Sequence, residues 1–403
     1  MLWNAAGNLI FLICQWLMTI LVANIGSFAD AGLLSIAMSV SATFQTVAMF
    51  GIRNFQISDV ENKYTDTCYV TLRTVTCALA LALCMCFSLI SGYRSEQLVC
   101  VLLFMLFRLS ENFSDVLHGI AQKNGRLDVA GKAYAIKGVG TLAVFLVTYK
   151  LCSSLVLSLG AMALLSWLCT VIYDVSVVRR LSRFGLMSMS EKWLSLAKNT
   201  LPLCIYLFLN TAISTVPKLI LEQYEGDEML GIYSSIFAPA LLIASAASYL
   251  YTPFVPYFAD AYSKKDTSVF IKLFVKITAA IAAVAVVTVI AATFLGDLAL
   301  KLLFGEKILA YSYMLIPILI SIFASATFTF LCTVCVVLRD FVGLLVACGA
   351  GLALEVLITG KWIELSGVNA TSYGYICASC IAAVILLFRM LCILHKTQKR
   401  SST

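Results

Sequence analysis

The sequence predicts an all-α integral membrane protein of about twelve transmembrane helices in two six-helix bundles. Three observations lead there. Of the 403 residues, 61% are hydrophobic and only 12% charged, whereas soluble domains run near half and a quarter. That much apolar surface needs lipid as its solvent. Apolar runs of about 20 residues, the length that crosses hydrocarbon, recur along the whole chain and leave no room for a soluble domain. The Lys and Arg residues of the loops alternate between two sides, as they do when cytoplasmic loops hold the excess of positive charge.

The spacing predicts helices over 5–25, 31–52, 69–91, 97–119, 131–150 and 153–176. A second set is predicted over 199–221, 229–252, 270–295, 309–335, 338–359 and 370–391. With the N-terminus, every second loop and the C-terminus on one side, that side takes most of the 28 Lys and Arg. The other keeps Arg94, Lys150, Lys218, Lys301, Lys307 and Lys361, while Arg108 and Lys137 fall within spans. Both termini are therefore expected in the cytoplasm and the chain in the cell (plasma or inner) membrane. The long basic loop divides the map into residues 1–176 as an N-terminal bundle, 177–198 as a cytoplasmic linker and 199–403 as a C-terminal bundle with a short basic tail.

The net charge of +7 is explained by membrane orientation, so no nucleic acid partner is expected. The 15 cysteines mostly sit inside apolar runs and read as buried free thiols, not a disulfide framework or a zinc site. The first apolar run lacks a basic n-region and reads as a true span, not a cleavable signal.

Ionisable groups in hydrocarbon are costly and usually face a bundle interior or a wet cavity. On the fourth helix Arg108, Glu111, Asp115 and His118 fall on one face, and Gln122 continues it. Either this stripe only locks helices together through ion pairs, or it lines a path in which Glu111 and Asp115 help couple or gate transport. The first helix carries Asn4, Asn8, Gln15 and Thr19 on one side, fitting both interhelical hydrogen bonding and cavity lining. Asn210, Ser214, Pro217 and Lys218 form a related stripe on the seventh helix. Pro217 can bend it, and Lys218 can equally snorkel to the interface. Lys137, Arg53, Arg73 and Arg108 could together present positive charge to an anionic head group, although each alone also suits a positive-inside anchor. Glu355 is an isolated intramembrane acid, either an ion-coupling site or the buried partner of a cation.

Several of these stretches resemble a known family. Glu111-Asn112-Phe113-Ser114-Asp115, Gly119-Ile120-Ala121-Gln122 and Arg126-Leu127-Asp128 resemble the E-x-x-x-D, G-x-x-Q and R-x-D region of bacterial oligosaccharide flippases of the O-antigen flippase type. These are polysaccharide transporters of the multidrug/oligosaccharidyl-lipid/polysaccharide exporter superfamily. Gly51 to Asp59, Val216-Pro217-Lys218, Gly231-Ile232-Tyr233-Ser234 and Pro253 to Tyr262 are similar to further stretches of that family, and the resemblance covers about residues 1–280. Two departures stand out. Family members usually carry a short polar segment before the first helix, and Lys137 replaces the usual Arg, which keeps the charge but loses bidentate phosphate geometry.

The resemblance implies a V-shaped pair of six-helix bundles around a central cavity. It implies alternating access that flips a polyprenyl-diphosphate-linked oligosaccharide to the outer leaflet for surface polysaccharide biosynthesis. Arg53, Arg108 and Lys137 would then meet diphosphate, Asn4, Asn8, Gln15 and Asn210 would meet sugar hydroxyls, and Lys218 would also bind substrate. Glu111, Asp115 or Glu355 would couple a proton or sodium ion, with no other cofactor and no metal. Polysaccharide polymerase and glycosyltransferases would be partners. The rival readings are a drug or cation exporter of the same superfamily, an unrelated twelve-helix symporter and, last, an intramembrane glycan-modifying enzyme. The deep charges are mostly cationic, which disfavours a cation exporter. Short outer loops and the absence of a nucleophile motif disfavour an enzyme.

Overall fold

A backbone in lipid must satisfy its own N–H and C=O groups, so apolar runs of this length become helices. The computed structural model describes residues 2–59, 63–186 and 191–402, and among these residues it is helical with no strand. The first half contains α1 (Leu2–Ile25), α2 (Phe28–Met49), the short α3 (Ile52–Ser58), α4 (Asp66–Ile90), α5 (Ser95–Lys123), α6 (Leu127–Cys152) and α7 (Leu155–Cys169). A π-helical turn, Thr170–Val175, carries α7 into the short α8 (Ser176–Val178). There follow α9 (Glu191–Tyr251), α10 (Val255–Ser263), α11 (Thr267–Phe304), α12 (Leu315–Val337), α13 (Phe341–Ser366) and α14 (Asn369–Ser402).

Ten of the described helices are long and apolar enough to cross a membrane, and the chain is a multi-pass membrane protein. Two observations reconcile the ten with the twelve predicted spans. α9 is two helices joined at Gly226, whose φ of 83° and ψ of 177° break the helical path in a conformation open to glycine. α5, at 29 residues, is long enough, but Arg108, Glu111 and Asp115 stand in its middle.

Contacts group the chain into two units, Met1–Thr211 and Ala212–Thr403. The first turns of α9 pack within the first unit. Leu196 and Cys204 join a buried cluster with Ile52, Tyr64, Tyr69, Leu117 and Ile120. The Tyr64 hydroxyl also lies 3.4 Å from Ser195 Oγ and 3.5 Å from Asn199 Nδ2. Part of the predicted 177–198 linker is therefore helix, since α9 begins at Glu191; residues 187–190 of it lie outside the described residues.

In unit 1, α1 and α6 cross at glycines. A Cβ on Gly7 would stand 1.9 Å from the Gly131 carbonyl oxygen, and one on Gly131 would stand 2.0 Å from the Trp3 carbonyl oxygen. Small residues let helix backbones meet where lipid supplies no hydrophobic drive for association. Ser27, Thr65 and Ser154 cap α2, α4 and α7 through their side-chain oxygens. In unit 2, Tyr251, Phe258, Phe270 and Phe330 form the centre of an aromatic core. Asp340 caps α13 and takes two 2.6 Å hydrogen bonds from Arg389 of α14. Burial of this carboxylate is offset by those bonds and by the Gly343 N–H, and Arg389 foremost holds the Asp340 carboxyl below its usual range.

Candidate functional site: paired charges on α5

Gly51, at φ 67°, turns the chain sharply out of α2 so that α3 lies against α5. The approach is close: a Cβ on Gly119 of α5 would fall 2.0 Å from Gln56 Oε1. Gln56 Nε2 donates to the Val116 carbonyl at 3.2 Å. This contact aims Arg53 at the polar face of α5. Its Nη1 donates to Asp115 Oδ1 at 2.6 Å and its Nη2 to Gln122 Oε1 at 3.2 Å. Arg73 of α4 reaches the same carboxylate from the other side, with Nη2 at 2.9 Å from Asp115 Oδ2. Its Nη1 donates at 2.6 Å to the Ala48 carbonyl, one of the last of α2. Two guanidiniums thus share one carboxylate. Arg73 is fully buried, whereas the Arg53 side chain is 23% exposed.

The motif residues gain physical roles from this geometry. Gly119 admits α3, and Gln122 and Asp115 receive Arg53. Glu111 accepts from Arg108 Nη1 at 2.9 Å, and Arg108 also lies over the rings of Phe104 and Phe107. Arg126 pairs with Asp128 at 2.8 Å on an exposed turn. Asp59, at the end of α3, accepts from the Lys63 and Tyr64 N–H groups. Burial would raise its carboxyl, but bonds from the Tyr64 and Lys63 N–H groups and the Tyr69 hydroxyl outweigh that and hold it low.

Lys137 meets a different carboxylate. Thr170 and Asp174, four residues apart on the π turn, both face inward and are buried. Lys137 Nζ donates to Thr170 Oγ1 at 2.7 Å and Asp174 Oδ2 at 3.0 Å, and contacts Ser114 Oγ. Ser114 donates to Asp174 Oδ2 at 2.6 Å, and His118 Nε2 lies 3.1 Å from Asp174 Oδ1. With Asp174 ionised, Nε2 is the protonated nitrogen. Lys137 is 2% exposed and Asp174 fully buried. The Lys137 donors are directed inside the bundle, to a carboxylate that sequence reasoning did not single out.

The remaining predicted residues are spread out. Asn4 and Gln15 are half-buried and Asn8 is exposed on α1. Asn210 is half-buried near the end of unit 1. Lys218, in unit 2, lies 3.9 Å from the centroid of the Phe237 ring. Glu355 is fully buried in α13, where Thr359 Oγ1 is 3.2 Å from its Oε1. Within unit 1, Arg53, Asp115 and Gln122 are brought together, the Arg108–Glu111 pair lies one turn along α5 and Lys137 contacts Ser114, next to Asp115; Lys218 and Glu355 belong to unit 2. No group of three or more metal-ligating side chains occurs among the described residues.

Residues 1–262 match the model of the family described as polysaccharide biosynthesis protein. The chain belongs to this family. The capsular polysaccharide biosynthesis protein CapF of Staphylococcus aureus is 25% identical to it over 335 residues, 80% of this chain and 82% of CapF. An inward-facing multidrug resistance MATE family transporter of the MOP superfamily superposes with a TM-score of 0.77 at 11% identity, covering 96% of each chain. The lipid II flippase MurJ, in an inward closed conformation, superposes with a TM-score of 0.74 at 11% identity, covering 98% of this chain and 90% of MurJ. At such identities the likeness is one of fold. Family membership sets the chemistry to be explained, and within the family's matched region lie Arg53, Arg73, Asp115 and Gln122.

Proposed function

We propose that this chain is a flippase that carries a polyprenyl-diphosphate-linked oligosaccharide from the cytoplasmic to the outer leaflet by alternating access. It would serve surface polysaccharide biosynthesis in the cell membrane, with both termini cytoplasmic. One observation carries the reading: Arg53 and Arg73 share Asp115, which leaves one positive charge uncompensated at a site where the Arg53 side chain is partly exposed. The pairs Arg108–Glu111 and Lys137–Asp174 are balanced one to one. A cationic site of planar donors suits a diphosphate and repels the cations that a drug or cation exporter would carry. Family membership and the relative named for capsular polysaccharide biosynthesis support a glycan cargo. The fold shared with a lipid II flippase supports the transport class, and the reading is of a transporter, not an enzyme. Glycosyltransferases and a polysaccharide polymerase are the partners this role requires.

Asp115, bracketed by two cations, has surroundings that disfavour a coupling cation. Among the described residues Glu355 has no counter-cation in contact and one oxygen, Oε2, without a partner, so the coupling role for a proton or sodium falls to it. Lipid-linked oligosaccharide flipping in inverted vesicles tests both parts. Flipping is expected in vesicles with the chain, lost on Arg53→Ala, and slowed when ion gradients are collapsed. Flipping at the rate of empty vesicles refutes the flippase reading. An undiminished rate without gradients refutes the coupling role.

A further inference from the structure

Arg53 and Arg73 meet the same carboxylate but differ in what else their guanidiniums can reach. Arg73 cannot meet a ligand itself. It is fully buried, with Nη1 on the Ala48 carbonyl and Nη2 on Asp115. The Ala48 carbonyl is among the orphan carbonyls at the end of α2 and also accepts from Thr76 Oγ1 at 2.9 Å. This negative helix end adds to the hold on Arg73. Arg53 is less sealed: its side chain is 23% exposed, and besides Asp115 it meets only the neutral amide of Gln122 and the neutral hydroxyl of Tyr134.

Consider Asp115 with Arg53 alone. An arriving anion would have to strip the guanidinium from a nearly buried carboxylate and leave that carboxylate unpaired, the costly outcome for a buried ion pair. With Arg73 in place, Asp115 keeps a partner when Arg53 turns to the anion. We propose that Arg73 is a positioning residue: by holding Asp115 neutralised, it releases the Arg53 guanidinium to bind the diphosphate of a lipid-linked sugar. This rests on the anion-site reading of the preceding subsection.

The test is charge arithmetic at one site. The purified full chain in detergent at low salt is titrated calorimetrically with farnesyl diphosphate. Wild type carries one excess positive charge at the site, Arg73→Met carries none, and Arg73→Met/Asp115→Asn carries one again. Binding is expected to weaken about tenfold or more in Arg73→Met, from the loss of one unit charge in a low-dielectric surrounding. It is expected to return to within about threefold of wild type in the double variant, since the lone Arg53 is then free. A merely structural Arg73 would give no such rescue, and failure of rescue in a folded double variant overturns the inference. Asp115→Asn alone, which needs no loss of arginine, is expected to bind at least as tightly as wild type, with steeper salt dependence. A tenfold loss there also overturns it. If wild type binds and Arg73→Met binds equally well, this inference falls alone. If wild type fails to bind, the anion-site reading falls and takes this inference with it.

Discussion

Lys137→Met is the most demanding test of how unit 1 is held together. The substitution keeps length and apolar volume but removes the ammonium from Asp174, which is fully buried and is left with only His118 and Ser114. Breaking a buried pair by removing one partner costs about 3–5 kcal/mol. For a cooperative unit of some 150–250 residues, each kcal/mol moves the melting temperature by about 2–4 °C, so a fall of roughly 6–20 °C is expected. Thermal unfolding in detergent, followed by circular dichroism, measures it. Lys137→Met/Asp174→Asn removes the stranded charge and is expected to recover at least half of the loss. A single variant that melts within about 2 °C of wild type, or a double variant less stable than the single one, refutes the buried-pair account.

Other outcomes follow from contacts described above. Gly131→Ala would place a methyl 2.0 Å from a backbone oxygen of α1, so α1 must shift; a loss of at least about 1–3 kcal/mol is expected in the same assay. Gly226→Ala meets nothing within 4 Å, yet forces alanine to φ 83°, which costs about 1–3 kcal/mol. Gly349→Ala, equally unobstructed but helical, is expected to be neutral or stabilising by up to about 1 kcal/mol, so equal losses at the two glycines would count against backbone strain. Arg389 lowers the Asp340 carboxyl in the folded state, so this pair contributes stability above the unfolded carboxylate value of about 3.9. That contribution disappears as pH falls through the lowered folded value. Melting of wild type should therefore drop more steeply below about pH 4 than melting of Asp340→Asn, and parallel pH profiles would contradict it.

The helices and the polar face of α5 are legible in the sequence because both are periodic signals. Apolar runs have a length set by the bilayer, and Arg108, Glu111, Asp115 and His118 repeat at helical spacing. The partners are not legible. Arg53 and Arg73 look alike as basic residues near helix ends, and only the fold decides that one is partly exposed and the other sealed. Asp174 was overlooked because it stands in a run of valine, isoleucine and tyrosine that reads as an ordinary helix end. A signal did exist: an intramembrane lysine calls for an acid at similar depth on a neighbouring span, and Asp174 is the acid of the next span after Lys137. The π turn that brings them together has no pattern of its own, since it adds one residue per turn without changing composition. The start of α9 was placed too late for a related reason: Glu191 and Lys192 read as loop, although a helix first turn accepts charge readily.

The charges on α5 have a consequence for how the protein is made. A helix with Arg, Glu and Asp at mid-depth gains little by partitioning into lipid alone, since each such group costs about 2.5–3.5 kcal/mol at a helix centre. Synthesis runs from the N-terminus, so Arg53 and Arg73 precede Asp115, while Arg108 travels with Glu111 on one helix. When α5 leaves the ribosome, the cations that neutralise Asp115 are already waiting, and the hairpin of α4 and α5 can enter the bilayer as one nearly neutral load. Lys137 and Asp174 repeat the arrangement later in the same order: the base arrives first and waits for its acid.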